Sequence, residues 1–115
     1  MQYELTICPE NRFQTIEHFG ASDCWTMQKL GGWSDENRAR LADLLFDPEK
    51  GIGLTSWRVN LGAGLDEGIG LISWRTGENI EFAPGQYDWT RLANQRRFII
   101  DAKARGVESA IFGMS

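Results

Sequence analysis

Histidine is almost missing from this sequence, with His18 its one copy, and cysteine occurs twice, as Cys8 and Cys24. One imidazole and two thiols without C-x-x-C spacing argue against a zinc site or a disulfide framework. No metal and no cofactor is therefore expected. The thiols are expected to be free and buried, because unpaired cysteine behaves as a small core residue. His18 reads as a hydrogen-bonded structural residue, since nothing beside it supplies a nucleophile and an orienting acid. Clusters of basic residues are also lacking: 12 Lys and Arg face 16 Asp and Glu, for a net charge of −4. That balance argues against nucleic acid or an anionic membrane as partner. There is no run of about 18 apolar residues, so no membrane-spanning helix is expected. The opening Met1-Gln2-Tyr3-Glu4-Leu5 has neither the basic nor the apolar region of a signal peptide, which leaves the cellular location open.

What the chain does have is glycine and large aromatic rings: 13 Gly, five Trp and six Phe in 115 residues. Such rings fill a core or line a groove for a ligand with a flat apolar face. Tyr3, Leu5 and Ile7 alternate with Glu4 and Thr6, which predicts a half-buried strand over Tyr3–Cys8. Pro9-Glu10-Asn11 reads as a turn. Phe13–Phe19 is a second strand candidate, and Gly20–Trp25 a loop leaving its carboxyl end. Ser34 is a good N-cap, Asp35 and Glu36 suit a helix start, and Leu41, Leu44 and Leu45 supply an apolar side. Asp47-Pro48 ends that helix. Leu54–Leu61 is the next strand, stopped by Gly62-Ala63-Gly64. A long loop over Leu65–Tyr87 follows, with a Pro84-Gly85 turn signal. Asp88 is placed as the cap of a second helix reaching Arg105, with Trp89, Leu92, Phe98, Ile99 and Ala102 on its apolar side. Val107–Met114 starts another strand. Strands alternating with helices imply parallel βα units, and too few of them to shield both faces of a sheet.

Two patterns carry no chemistry. Gly51-Ile52-Gly53-Leu54-Thr55-Ser56-Trp57-Arg58 is echoed by Gly68-Ile69-Gly70-Leu71-Ile72-Ser73-Trp74-Arg75, but two copies do not make a repeat protein. Gly62-x-Gly64 lacks the third glycine of a dinucleotide fingerprint and is not followed by a helix. The strand ends are more informative, because parallel βα barrels bind ligands at the carboxyl ends of their strands. There the sequence places Asp23 and Trp25 after the Phe13–Phe19 strand, and Arg58 and Asn60, two apart and so on one face, in the Leu54–Leu61 strand. Met114 marks a third end. A carboxylate, a guanidinium, an amide and an indole around one groove suit a polyol. The alternative is that Arg58 is a buried structural cation and that Trp25 and Trp57 fill the core.

Three ordered segments resemble glycoside hydrolase family 30, and in particular its endo-β-1,6-galactanase-like members. They are Phe19-Gly20-Ala21-Ser22-Asp23-Cys24-Trp25, Gly51 through Gly62, and Gly85-Gln86-Tyr87-Asp88-Trp89-Thr90. The resemblance implies an α/β fold: residues 13–115 as the first βα units of a (β/α)8 TIM barrel left incomplete, and residues 1–12 as a strand and turn of a side β-sandwich. It implies carbohydrate as partner and hydrolysis of β-linked glycans with retention, which requires two carboxyl groups about 5–5.5 Å apart. The family's acid/base Glu follows an Asn at the fourth strand, and its nucleophile ends the seventh. This sequence holds no Asn-Glu dipeptide, so no catalytic residue is assigned to it and the chain alone is expected to be inactive. Asp23, Trp25, Arg58 and Asn60 are the substrate-binding candidates, with Arg58 matching an arginine that lies beside the nucleophile. Family members are often secreted or periplasmic. A non-catalytic carbohydrate-binding or interaction module is the second reading, and exposed barrel edges invite self-association.

Overall fold

In the computed structural model, residues 2–62 and 77–113 are described. Their elements run β1 (Gly20–Ser22), α1 (Thr26–Leu30), α2 (Asp35–Phe46), β2 (Ser56–Asn60), β3 (Glu81–Ala83), β4 (Gln86–Tyr87), α3 (Ala93–Lys103) and β5 (Ser109–Gly113). β1, β2 and β5 form one parallel sheet in that order, and β3 and β4 a small antiparallel hairpin. The arrangement is a partial α/β domain. Trp57 pairs with Ala21 on one side and Ala110 on the other, which makes β2 the central strand.

The pleat of β2 decides where the core sits, since alternate side chains point to opposite faces. Trp57 and Val59 are buried on the helix side, with Met27 of α1, Ala42 and Phe46 of α2, and Phe98 and Ala102 of α3. Phe46, Trp57 and Phe98 form an aromatic triad with centroids 5.1 to 6.0 Å apart, in edge-on and tilted contacts. Arg58 points to the other face and is exposed.

The helix of Asp35–Phe46 forms as its caps predict: Asn37 N–H donates to Ser34 Oγ at 3.3 Å, and the helix stops before Pro48. Its buried stripe, however, is Arg38, Ala42 and Phe46, while Leu44 is exposed. Arg38 is tolerated there because it pairs with Asp35 at 2.8 Å and with Asp101 of α3. Arg105 likewise reaches Asp43 at 2.5 Å and the Ala39 carbonyl at 3.0 Å. These contacts tie α2 to α3 along the edge of the apolar layer.

Several expectations need correction. The second helix begins at Ala93, not at Asp88. The Asp88 carboxylate instead accepts from the Thr90 N–H at 2.9 Å and the Thr90 hydroxyl at 2.6 Å, closing a local turn. The loop before it contains the β3–β4 hairpin, turned at Pro84-Gly85 with Gly85 at φ +71°. The short helix α1 had no sequence signal. Tyr3–Cys8 and Phe13–Phe19 are not in a strand ladder. A strand needs a neighbour for its N–H and C=O groups, and the ladder with β2 begins at Gly20, just after the Phe19 carbonyl accepts from the Thr55 and Ser56 N–H groups. Pro9-Glu10 does turn, with Asn11 N–H donating to Cys8 O at 3.1 Å. Tyr3, Leu5, Ile7, Phe13 and Ile16 are exposed. The radius of gyration is 18.3 Å, against roughly 13 Å for a packed domain of this length, consistent with that exposed stretch. Both cysteines are free but exposed, not buried: Cys8 lies in the exposed N-terminal segment and Cys24 in a tight turn. His18 is exposed as well. Gly68–Arg75, the second copy of the echo, and the Met114 strand end lie outside the described residues.

Candidate functional site

The carboxyl ends of β1 and β2 lie side by side. The Asp23 N–H donates to the Arg58 carbonyl at 3.0 Å, carrying the ladder one residue past Ser22. The chain then turns sharply, with Cys24 at φ 43° and Trp25 at φ 67°. Two successive non-glycine residues in the left-handed region cost on the order of 1 kcal/mol each or more. The turn is held by Thr26 N–H donating to Asp23 O at 2.8 Å, and it leads straight into α1.

Asp23 is 2% exposed. Its Oδ2 accepts from Gln95 Nε2 of α3 at 2.6 Å. Gln95 in turn donates its backbone N–H to Gln28 Oε1 at 3.1 Å, and Asn94 Nδ2 donates to the Gln28 carbonyl at the same distance. A buried polar chain thus links the end of β1 to α1 and to the start of α3. Asn60 is 4% exposed, and its Oδ1 makes no hydrogen bond among the described residues. It faces a small cavity of about 20 Å³ bounded also by Trp25, Gln28 and Gln95, room for about one water. Arg58, by contrast, is exposed, and its guanidinium donates to Ser22 Oγ at 3.4 Å.

The structure therefore brings Asp23, Trp25, Asn60 and Arg58 together at two adjacent strand ends, but in two different settings. Asp23 is buried against Gln95, and Asn60 is buried with its amide oxygen at the small cavity. Arg58 stands on the open sheet face. Trp57 is a core residue, and Arg58 is not a buried structural cation. Gln95 was missed from sequence. The available signal was a polar residue in register with Leu92, Phe98 and Ala102 on the buried stripe of α3.

Burial pushes the Asp23 carboxyl above its ordinary range. The Gln95 amide, the N–H groups of Trp25 and Asn60, and the Arg58 charge pull it partly back. A carboxyl raised in the folded state contributes stability that is full below its unfolded value, about 4, and lost as pH rises through the folded value. Asp35, Asp47 and Asp88 behave in the opposite sense. They are lowered by hydrogen bonds, first of all from Arg38, from the Glu49 N–H and from Thr90 respectively. Their contribution is present above the unfolded value and lost as pH falls. Asp23→Asn removes the first effect and leaves the second, on top of a pH-independent packing cost. Urea midpoints measured at a series of pH values should show the variant gaining on the wild type as pH rises above 4. A constant difference would place the Asp23 carboxyl in its ordinary range.

A family model described as O-glycosyl hydrolase family 30 matches residues 2–115. No curated protein matches the chain. Among solved structures, a conserved exported protein from Bacteroides fragilis is similar, with 35% identity and a TM-score of 0.81 over 94% of this chain. The match covers 24% of that protein, so the chain spans about a quarter of its length.

Proposed function

The chain belongs to O-glycosyl hydrolase family 30, and from that premise we propose that it forms one wall of the substrate groove of a retaining glycosidase acting on β-linked glycans. In this reading β1, β2 and β5 are the first strands of a (β/α)8 barrel and residues 1–12 belong to a side β-sandwich. The observation that carries the proposal is the exposed Arg58 guanidinium on the sheet face away from the helices, with Asn60 two residues further along the same face of β2 and Asp23 packed against Gln95 at the adjoining end of β1. In a closed parallel barrel that face is the interior, and its carboxyl-terminal rim is where ligands bind.

In this reading each side chain has a role. Arg58 presents fixed N–H donors to a sugar hydroxyl, or to a carboxylate that must stay ionised to act as nucleophile. The left-handed turn at Cys24 and Trp25 leaves Trp25 half-buried at the small cavity beside Asn60, and its indole is the face proposed to pack on a sugar C–H face. Asn60 offers its buried amide oxygen to a hydroxyl through the small cavity. Asp23, buried, fixes the turn through Gln95 and so supports the substrate-binding wall from beneath. Retention needs a nucleophile and an acid/base. Neither is assigned to this chain, so it binds but does not hydrolyse. An endo-β-1,6-galactanase-like preference makes β-1,6-linked galacto-oligosaccharides the first substrates to try.

Two assays on the purified chain test this. An aryl β-glycoside should show no enzyme-dependent release of the phenol, and turnover would overturn the assignment of chemistry elsewhere. Calorimetric titration with β-1,6-galactotriose should give saturable binding that falls about tenfold or more in Arg58→Ala, the loss expected for one charge-assisted contact. Unchanged affinity in that variant would remove Arg58 from the groove.

A further inference from the structure

Beyond the end of β2 lies a wider groove, of about 510 Å³, lined by Leu61 and Gly62 on one side and by Asn79, Tyr87 and Trp89 on the other. That volume is in the range of small-ligand sites. Tyr87 and Trp89 stack with their planes 16° apart and their centroids 5.9 Å apart. They are nonetheless 54% and 63% exposed. Two large rings held parallel and left open to solvent are not serving the core, which is closed by Phe46, Trp57 and Phe98.

The position of the rings is fixed by their surroundings. The Asp88 turn between them holds the backbone through Thr90, and the Trp89 carbonyl accepts from the Arg96 guanidinium of α3. The hairpin under Tyr87 is held by Gly85 N–H donating to Glu81 Oε1 at 2.8 Å and by Arg91 Nη1 donating to the Asn79 carbonyl at 2.9 Å. Among the described residues, no Lys or Arg lines the groove. A phosphate or an acidic peptide finds no counter-charge there. Flat apolar faces rimmed by an amide and a carboxylate suit a neutral ligand that is apolar on its ring faces and hydroxylated at its edges. Gly62 borders both this groove and the small cavity beside Asn60 and Trp25. At φ +63°, a Cβ at this position would collide with the Asn79 amide oxygen, so the backbone passes close under the hairpin.

We infer that Tyr87 and Trp89 form a second sugar-binding platform, continuous with the strand-end groove, which takes a neighbouring pyranose of the same β-linked chain. This rests on the carbohydrate-groove reading above, and it adds the hairpin side as a separate subsite. The main-chain bonds that position the platform do not depend on either ring, so the ring variants should fold.

The test is a residue-resolved titration of the full 115-residue chain with β-1,6-galactotriose, β-1,4-xylotriose and β-1,3-glucotriose. The Trp89 indole N–H signal, assigned by its loss in Trp89→Phe, should shift saturably with at least one of them. Affinity should fall about tenfold in Trp89→Ala and in Tyr87→Ala, and stay within about threefold of wild type in Trp89→Phe, which keeps a ring. If Arg58→Ala loses affinity while Trp89→Ala binds like wild type, the platform is overturned and the strand-end groove stands. If Trp89→Ala loses affinity while Arg58→Ala does not, the platform stands and the strand-end contacts fall. No binding of any trisaccharide by the folded wild type overturns both.

Discussion

Phe98→Ala is expected to abolish the cooperative unfolding transition of this chain near room temperature. Phe98 is fully buried, and its ring lies 5.7 Å from Phe46 and 6.0 Å from Trp57. Truncating a buried phenylalanine costs about 3–5 kcal/mol in lost transfer energy and cavity formation. Domains of this size are stable by only about 5–15 kcal/mol. Here the ring is the member of the triad that joins α3 to both α2 and the central strand, and the described apolar core lies on one face of the sheet. Loss of one ring therefore removes a large fraction of what holds the layers together. Near-UV circular dichroism and a thermal melt check this directly. Leu44→Ala is the control, because Leu44 is 52% exposed on α2 and surface changes of that kind stay within about 0.5 kcal/mol. A sharp melt in Phe98→Ala close to that of the control would mean the aromatic triad is not the core.

The second large effect is expected at Gly31, where α1 meets α3. A Cβ built there would overlap the Asn94 carbonyl and the Met27 carbonyl, both backbone groups that cannot rotate away. Gly31→Ala must push α1 off the start of α3. Overpacking of this kind costs about 1–3 kcal/mol, and more where the backbone has to move. It also strains the two bonds from Asn94 and Gln95 to Gln28, each 3.1 Å long. Since Gln95 carries the bond to Asp23, the damage should spread to the strand-end site. The expected result is a lowered urea midpoint together with altered NMR signals at Asp23 and Trp25, which lie 8 and 6 residues before the substitution. A lowered midpoint with Asp23 unmoved would show that Gln28 and Gln95 do not transmit the change.

These two sites also show what could be read from the sequence and what could not. The helix over Asp35–Phe46 carried its own start and stop, in Ser34 and Pro48, and β2 carried its β-branched and aromatic residues. Local signals were enough there. The five-residue helix α1 is too short for periodicity to register, and its place is set by contact with α3 at Gly31. The start of α3 was misread for a related reason. Asp88 is a plausible cap by type, but Leu92 holds that position in a left-handed conformation. The Leu92 N–H is satisfied by Glu78, a distant residue that no local window includes. The burial of Cys8 failed because composition speaks to averages, whereas its segment pairs with no strand among the described residues.

The site was legible in a similar measure. Residues two apart on one strand share a face, so Arg58 and Asn60 could be placed together, and parallel pairing set Asp23 beside them. Their separate settings could not be foreseen, because burial depends on what α1 and α3 bring. Gln95 was recognisable only as a polar intruder on an apolar stripe. Tyr87 and Trp89 stood in a motif, but their stacking depends on the hairpin and on the Asp88 turn.

The central claim is that the carboxyl ends of β1 and β2 form a sugar-binding wall in a chain that carries no hydrolytic pair of its own. It is tested most directly by mapping backbone amide shifts across the whole folded chain during titration with β-1,6-galactotriose. The account predicts saturable shifts clustered at Asp23, Trp25, Arg58, Asn60 and Gly62, with the outer faces of α2 and α3 unmoved. Shifts confined to those helix faces, or none at saturating sugar, would contradict it.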